Sequence, residues 1–448
     1  MPSLKAFLAK AYAAIIYKKI NKWSSKPLET QNHVFQSLIS EAVSTNFGVD
    51  HDFISIKSYE DFVNRVPVRD YEALRPYVDK VVAGESNVLW KGKPLYFAKT
   101  SGTTSGAKYI PITKESMPGH VEAAKNAILL YIHQTGNTQV VDQKMIFLQG
   151  SPVLEIINGV QLGRLSGIVA HYVPKYLQKN RLPSWETNCI EDWESKVNKI
   201  VQETLNEDMS IIAGIPSWVQ MYFEKLVAIK DKKVGDIFKN FNLFIFGGVN
   251  YEPYRSKFES LIGRKVNTIE LYPASEGFFA FQDNQNETGM LLQLNSGIFY
   301  EFICAETFFE PNHKRLTLKD VEVGVNYVII ISTTAGLWAY NIGDTVQFTS
   351  LSPFRVIVSG RIKHFISAFG EHVIAKEVEH ALLSALKSTN ISVSEFTVAP
   401  QTTPEFGLPH HEWFIEFETP PLDIKSFSHE LDVAMQKQNS YYIQSKRI

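Results

Sequence analysis

Apolar residues recur along this chain with two alternating periods. "EDWESKVNKIVQETLN" sets Trp193, Val197, Ile200, Val201 and Leu205 on one stripe at helical spacing. "MSIIAGIPSW" follows as an unbroken apolar run, which predicts a buried strand, a Gly/Pro turn, and Ser217 as cap of the next helix. "NLFIFGGVN" is a second short buried strand, ending in Gly247 and Gly248. "VNTIELYPASEGFFAF" predicts a strand running into a turn that carries Glu276, and "NYVIIISTTAGLWAYNIGDTVQF" two strands joined by "TTAG", the second carrying Asp344. Near the start, Leu4, Leu8, Tyr12, Ile15 and Ile16 repeat at helical spacing, so an amphipathic helix docked on the body through that stripe is expected. Alternation of this kind predicts an α/β architecture.

The texture changes after "FRVIVSGRIKHF". "GEHVIAKEVEHALLSAL" is helical, with Val378, Leu382, Ala385 and Leu386 on one face. The reading is therefore of two domains, residues 1–360 and 361–448, with a hinge at Gly360 to Lys363. A chain of 448 residues has ample material for more than one core.

Composition narrows the class. Apolar residues at 44 % and aromatics at 12 % are those of an ordinary globular protein. A net charge of −2 without an evident basic block argues against nucleic-acid and membrane-surface binding. Two cysteines, Cys189 and Cys304, make neither a disulfide framework nor a zinc site alone and suit a reducing compartment. Lys10 interrupts the first apolar run, no small-residue cleavage site follows it, and no run reaches the roughly 18 apolar residues of a membrane span. A cytoplasmic monomer is expected.

The candidate chemistry begins at "KTSGTTSGAKYIP". Thr100, Ser101, Gly102, Thr103, Thr104, Ser105 and Gly106 bring five hydroxyls and two glycines, with Lys99 and Lys108 outside them. A Walker phosphate loop fails here: Gly102 and Gly106 stand four apart, Ala107 replaces the lysine, and the strand-like "YIPIT" follows where a helix is needed. Two readings fit the loop by itself, a solvated hairpin turn and a phosphate grip in which glycines admit the anion and hydroxyls donate to it.

Its company favours the second. "LYPASEG" supplies an aromatic face at Tyr272, a turn at Pro273 and Ala274, a hydroxyl at Ser275 and a hard oxygen ligand at Glu276. "YNIGD" ends in Asp344, suited to accept both hydroxyls of a ribose. "SGRIKHF" brings Arg361 to the hinge, where it can bond a sugar or a phosphate. Taken singly these are ordinary core, turn or surface residues; it is their order that carries the reading. G-x-S-x-G and H-E-x-x-H are both absent, and the adjacent pair His410 and His411 faces opposite ways on a strand, a poor metal site.

This order resembles that of adenylate-forming enzymes, the acyl-CoA synthetase and luciferase superfamily. The forms "TSGTTSG", "YPASEG" and "GLWAYNIGD", with "YEALRPYVDKVVAGESNVL" ahead of them, resemble the Gretchen Hagen 3 auxin-responsive family of acyl acid–amido synthetases, bacterial members more than plant ones. The resemblance covers essentially the whole chain. It implies a large N-terminal domain of a β-barrel and α/β layers with a small mobile α+β lid. It also implies ATP and Mg2+, adenylation of a small carboxylic acid, and transfer of the acyl group to an amino acid. Ser101, Thr103, Thr104 and Ser105 would hold phosphates. Tyr272 and Ser275, beside Ala274, would contact the adenylate. Glu276 would hold magnesium and Asp344 the ribose, with Arg361 nearby; Gly247 and Gly248 would lie flat beside adenine. Plant members usually carry arginine on both sides of the tyrosine where Ala339 and Asn341 stand here, and a lid lysine where this chain has His372. Such chains also continue some tens of residues past the point reached by Ile448. For the acyl pocket, Tyr172, Trp218 and Trp338 are the aromatic candidates. The alternatives on the same scaffold are an acyl-CoA ligase and an inactive nucleotide-binding protein.

Overall fold

The computed structural model describes residues 4–100, 107–173, 178–362, 375–387, 391–401 and 410–438. Ser101, Gly102, Thr103, Thr104, Ser105, Gly106 and His372 lie outside the described residues. The hydroxyl loop does join two strands. β1 (Tyr96–Thr100) and β2 (Lys108–Ile112) pair antiparallel, with Thr100 opposite Lys108 at the loop's base. β5 (Val160–Gly163) runs parallel to β1 and pairs with β4 (Glu155–Ile157), which completes a four-stranded sheet.

The second sheet has eleven strands. Its parallel block is β6 (Arg181–Leu182), β3 (Lys144–Phe147), β7 (Met209–Ala213), β8 (Leu243–Gly247) and β9 (Asn267–Ala274), in that spatial order. The order continues antiparallel through β10 (Gly277–Phe281), β11 (Met290–Leu292), β15 (Phe354–Arg361), β14 (Tyr340–Leu351), β13 (Asn326–Thr333) and β12 (Ile298–Cys304). Every residue of β7 is buried, because helices cover both faces of this block; hence its apolar run without alternation. On one face, Val197, Ile200, Phe223 and Phe258 of the helices Trp193–Thr204, Pro216–Lys230 and Glu252–Ile262 pack on Ile212 and Phe244. On the other, the helix Met117–Thr135 packs on the sheet and carries the first helix, Leu4–Ser24, on its back. Among the described residues, no helix is long and apolar enough to cross a membrane.

The structure corrects three readings. The first helix does form, but Ala6, Ala13, Ile16, Ile20 and Trp23 are its buried side. Of the expected stripe only Ile16 is buried, since small alanines permit a closer approach to the neighbouring helix than Leu4 or Leu8 would. Ser217 is not a cap: Ile215 occupies that position and Pro216 the first helical one, where a missing N–H costs nothing. Trp338 is wholly buried. Its indole donates to the Leu89 carbonyl at 3.0 Å, and its rings pack on Phe47, Phe53 and Trp90, so it is core and not pocket lining.

One ion pair ties the early helices to the sheet. Arg315 forks onto Glu301, Nε to Oε1 and Nη2 to Oε2 at 2.8 Å each, and the Tyr59 hydroxyl donates to the same carboxylate at 2.8 Å. Both partners are buried, and Arg315 lies over the Phe62 ring.

Beyond residue 374, the helix Ala375–Lys387, the antiparallel pair β16 (Val393–Gln401) and β17 (His410–Phe417), and the helix Ile424–Gln438 enclose a core of their own. Val378, Leu382 and Ala385 are buried there as the pattern predicts. This unit touches one side of the helix Glu252–Ile262 and the turn before it. Asn250 donates to Glu379 at 2.5 Å, and Lys257 pairs with Glu418 at 2.6 Å.

Candidate active site

In β7, β8 and β9 the parallel strands finish together, and the candidate residues gather at their carboxyl ends, the usual ligand edge of an open α/β sheet. β8 closes with Gly247. A Cβ there would stand 2.5 Å from the Leu271 carbonyl oxygen on β9, so the close strand contact demands glycine. Gly248 follows at φ +86° with open space around it. β9 reaches Ala274, and Ser275 and Glu276 form the turn to Gly277 of β10. Tyr272, two residues before Ala274, is buried, and its hydroxyl donates to Asp344 Oδ2 at 2.7 Å.

Asp344 reaches that point because β14 and β15 pair in a fixed register that sets it opposite Arg361. Arg361 Nε meets Asp344 Oδ1 at 2.9 Å, and Nη2 donates to the Ile342 carbonyl at 3.3 Å. Asn341 shapes the approach: its side-chain oxygen accepts from Gly343 N–H at 2.8 Å, and its own N–H donates to the Arg69 carbonyl at 2.7 Å. Ala339 is wholly buried, at φ +44°. Asn341 thus holds the irregular start of β14 that leads into Asp344, a role that "YNIGD" does not spell out.

The charges are arranged in opposition. Burial pushes the Glu276 carboxyl above its ordinary value; the Asp344 charge pushes the same way, while Lys108 and Arg361 act against it. Lys108 stands at the foot of the hydroxyl loop, opposite Thr100. The loop's base is therefore within electrostatic reach of Glu276. Burial, and then the Asp344 charge, hold the Tyr272 hydroxyl well above its usual value, so it remains a donor. Tyr340 is likewise held neutral, by burial first and the Glu276 charge second.

Sequence order thus brings Tyr272, Ser275, Glu276, Asp344 and Arg361 to one place, with Thr100 and Lys108 beside it. It does not bring the pocket aromatics there as a group. Tyr172 is bonded to the Tyr96 hydroxyl at 3.2 Å, against the strand that leads into the loop. Trp218 stacks on Trp193 at 4.3 Å, at the start of the helix that follows β7. A separate cavity of about 490 Å³, lined by Tyr17, His133, Asn284 and Arg355 among others, holds none of the candidate residues. Its strongest polar group, Arg355, is already bonded to both oxygens of Asp283.

On β9, four residues before Ala274, burial pushes the Glu270 carboxyl up to about 7, helped by the charges of Glu252 and Glu379. The folded chain therefore holds a proton there that the unfolded chain releases from about 4.5 upward, so stability falls as pH rises between the two values. Glu270→Gln should remove that slope. We expect it to match the parent near pH 5 and to exceed it near pH 8 by about 2 kcal/mol in urea unfolding. Equal stability at both pH values would show that this carboxyl is solvated.

Comparison with known proteins places these observations. The family models described as "GH3 family N-terminal domain", "GH3 family central domain" and "GH3 family C-terminal domain" match residues 16–172, 291–361 and 376–447. Indole-3-acetic acid-amido synthetase GH3.15 of Arabidopsis thaliana is 20% identical over 400 residues, 72% of this chain and 65% of its own. Jasmonoyl–L-amino acid synthetase JAR4 of Nicotiana attenuata is 20% identical over 387 residues, 71% of this chain and 66% of its own. The match therefore spans less than two thirds of the length of these relatives. Among solved structures, the GH3.15 acyl acid amido synthetase in complex with 2,4-DB aligns at a TM-score of 0.77 and 16% identity, covering 99% of this chain and 87% of that one. 2-Hydroxyisobutyryl-CoA ligase in the postadenylation state aligns at 0.61 and 14% identity, covering 92% and 83%. At such identities the likeness is one of fold.

Proposed function

This chain belongs to the GH3 family, and on that premise we propose that it is an ATP-dependent acyl acid–amido synthetase. It adenylates a small carboxylic acid, then passes the acyl group to an amino acid, releasing AMP and pyrophosphate. We place it among the bacterial members, acting in the cytoplasm as a monomer. The observation that carries this reading is the bonded set Tyr272–Asp344–Arg361 beside Glu276, with Lys108 at the base of the hydroxyl loop.

In the first step an acyl oxygen attacks the α-phosphate in line and pyrophosphate leaves. This is a matter of positioning and charge neutralisation more than of a protonated catalyst. Asp344, fixed by Tyr272 and Arg361, would receive the ribose hydroxyls. The hydroxyls of Ser101, Thr103, Thr104 and Ser105, outside the described residues, would donate to phosphate oxygens, with Lys108 as a nearby cation. Gly247 and Gly248 would leave adenine a flat bed. Among the described residues no group of three or more His, Cys, Asp or Glu could hold a metal by itself. Magnesium takes one or two carboxylates and completes its shell with phosphate oxygens and water. Glu276 would be the protein's ligand, and the ion would neutralise charge on the departing pyrophosphate. In the second step the amine attacks the acyl carbonyl of the adenylate and AMP departs.

Acid-dependent exchange of labelled pyrophosphate into ATP, screened over mixed acids without any amine, tests the first step. Exchange with at least one acid is expected; tight ATP binding with no exchange on any acid would leave a nucleotide-binding protein. The 2-hydroxyisobutyryl-CoA ligase fold neighbour gives the second reading. Amide formed from an amino acid, against thioester formed from CoA, separates the two.

Gly360 sits at φ +153° next to Ala375, the first described residue after the hinge. Proline there would lock φ near −65°. Gly360→Pro should cut amide formation at least about tenfold more than it cuts pyrophosphate exchange, which the strained start of Arg361 will itself lower. Equal loss of both would contradict a lid that moves between the steps.

A further inference from the structure

The outward side of the first helix plays no part in this chemistry. Opposite its buried Ala6, Ala13, Ile16, Ile20 and Trp23, the helix exposes Leu4 (75%), Phe7 (67%), Leu8 (57%), Tyr12 (42%) and Ile15 (51%). At 100° per residue these five fall within one continuous stripe about 17 Å long. Lys5 and Lys10 border it on its two sides, while Lys18, Lys19 and Lys22 continue its line toward Ser24. Lys125, from the neighbouring helix, reaches over the Tyr12 ring at 6.0 Å. The first acidic residue of the chain is Glu29, and six lysines precede it. The chain-wide charge of −2 therefore conceals a local basic block.

We propose that this face docks on an anionic lipid surface. The helix lies in the plane of the interface, its large apolar residues among the upper acyl chains and its lysines among the head groups. An apolar stripe of this size, left in water, marks a contact site. The helix itself pairs the stripe with lysine and carries no acid, the composition of an interfacial helix; Asp142 beside Lys5 and Glu122 beside Lys125 are the acids its neighbours bring near. Lysine stems can follow the apolar stripe downward while their ammonium groups stay with phosphate.

A second copy of this chain fits less well. Parallel pairing of two such helices sets lysine against lysine. Antiparallel pairing sets Lys18, Lys19 and Lys22 of one against Leu4, Phe7 and Leu8 of the other. Either way, unpaired charge enters the seam. The helix lies on the membrane and does not span it.

The test is sedimentation of the full chain with vesicles of phosphatidylcholine alone and of phosphatidylcholine with an equal part of phosphatidylglycerol. Binding to the anionic vesicles, weakened by salt and at least about tenfold stronger than to the neutral ones, is expected. Phe7→Glu with Leu8→Glu should lower it at least about tenfold, as should Lys18→Glu with Lys19→Glu, with thermal melts unchanged because all four side chains are exposed. Equal partition into both vesicles, binding to neither, or undiminished binding by the Phe7/Leu8 variant would overturn the proposal. So would a lipid-free dimer of the parent that the same variant dissociates, since the stripe would then meet a second copy.

Discussion

Glu276→Ala is expected to lower pyrophosphate exchange about a thousandfold, or about 4 kcal/mol of transition-state stabilisation, without lowering the thermal midpoint. The side chain stands in the turn between β9 and β10, and removing a carboxylate whose charge burial disfavours takes no stabilising interaction from the fold. What is lost is the hard oxygen that the metal–nucleotide complex would meet. Glu276→Gln keeps the shape and removes the charge, so a similar loss assigns the effect to ionisation. The pH dependence has a definite sign. Burial, with the Asp344 charge behind it, holds this carboxyl above its ordinary value, so protons compete with the metal at a higher pH than at an exposed glutamate. The magnesium concentration needed for half-maximal exchange should rise as pH falls through that raised value. Full exchange by Glu276→Ala would remove it from the reaction.

Arg315→Leu is expected to cost about 3–5 kcal/mol of folding stability, far from the site. The substitution leaves Glu301 buried with only Tyr59 to donate to it. Burial already pushes this carboxyl up, and Arg315 is the strongest influence against that. Without the arginine, Glu301 would hold its proton to higher pH, so the loss should be smaller near pH 5 than near pH 8 in urea unfolding. Glu301→Leu combined with Arg315→Leu should recover most of it, because a well-packed apolar pair replaces the ion pair without an orphaned charge. A double variant as unstable as the single one would place the cost in packing instead.

The alternation of periods was enough to predict the α/β class and the buried strands β7 and β8, because a strand covered on both faces is built almost entirely of apolar residues. The site was legible for a different reason. Tyr272 lies 72 residues before Asp344 and 89 before Arg361, yet each sits in a short motif whose residues are restricted in type, near the end of β9, near the start of β14 and at the end of β15.

What stayed hidden depended on which of two chemically similar options packing selects. The first helix is apolar on both sides, so periodicity finds the helix while only the neighbouring helix decides that the alanine side goes inward. Trp338, two residues from Gly336 and two from the motif tyrosine Tyr340, was a candidate for the acyl pocket. Its partners Phe47, Phe53 and Trp90 come from far upstream, and no local pattern announces them. The Tyr59–Glu301–Arg315 set is a contact across 242 and 14 residues and leaves no periodic trace. Asn341 was visible as a departure from relatives, but its hold on Gly343 and Arg69 is a property of the folded start of β14.

A crystal structure with a bound non-hydrolysable ATP analogue and magnesium tests the central claim most directly. The account predicts the ribose hydroxyls on the Asp344 carboxylate, adenine against Gly247 and Gly248, and the metal on Glu276, with the phosphates under the loop between Thr100 and Lys108. A nucleotide bound elsewhere, with Asp344 still engaged only by Tyr272 and Arg361, would contradict it.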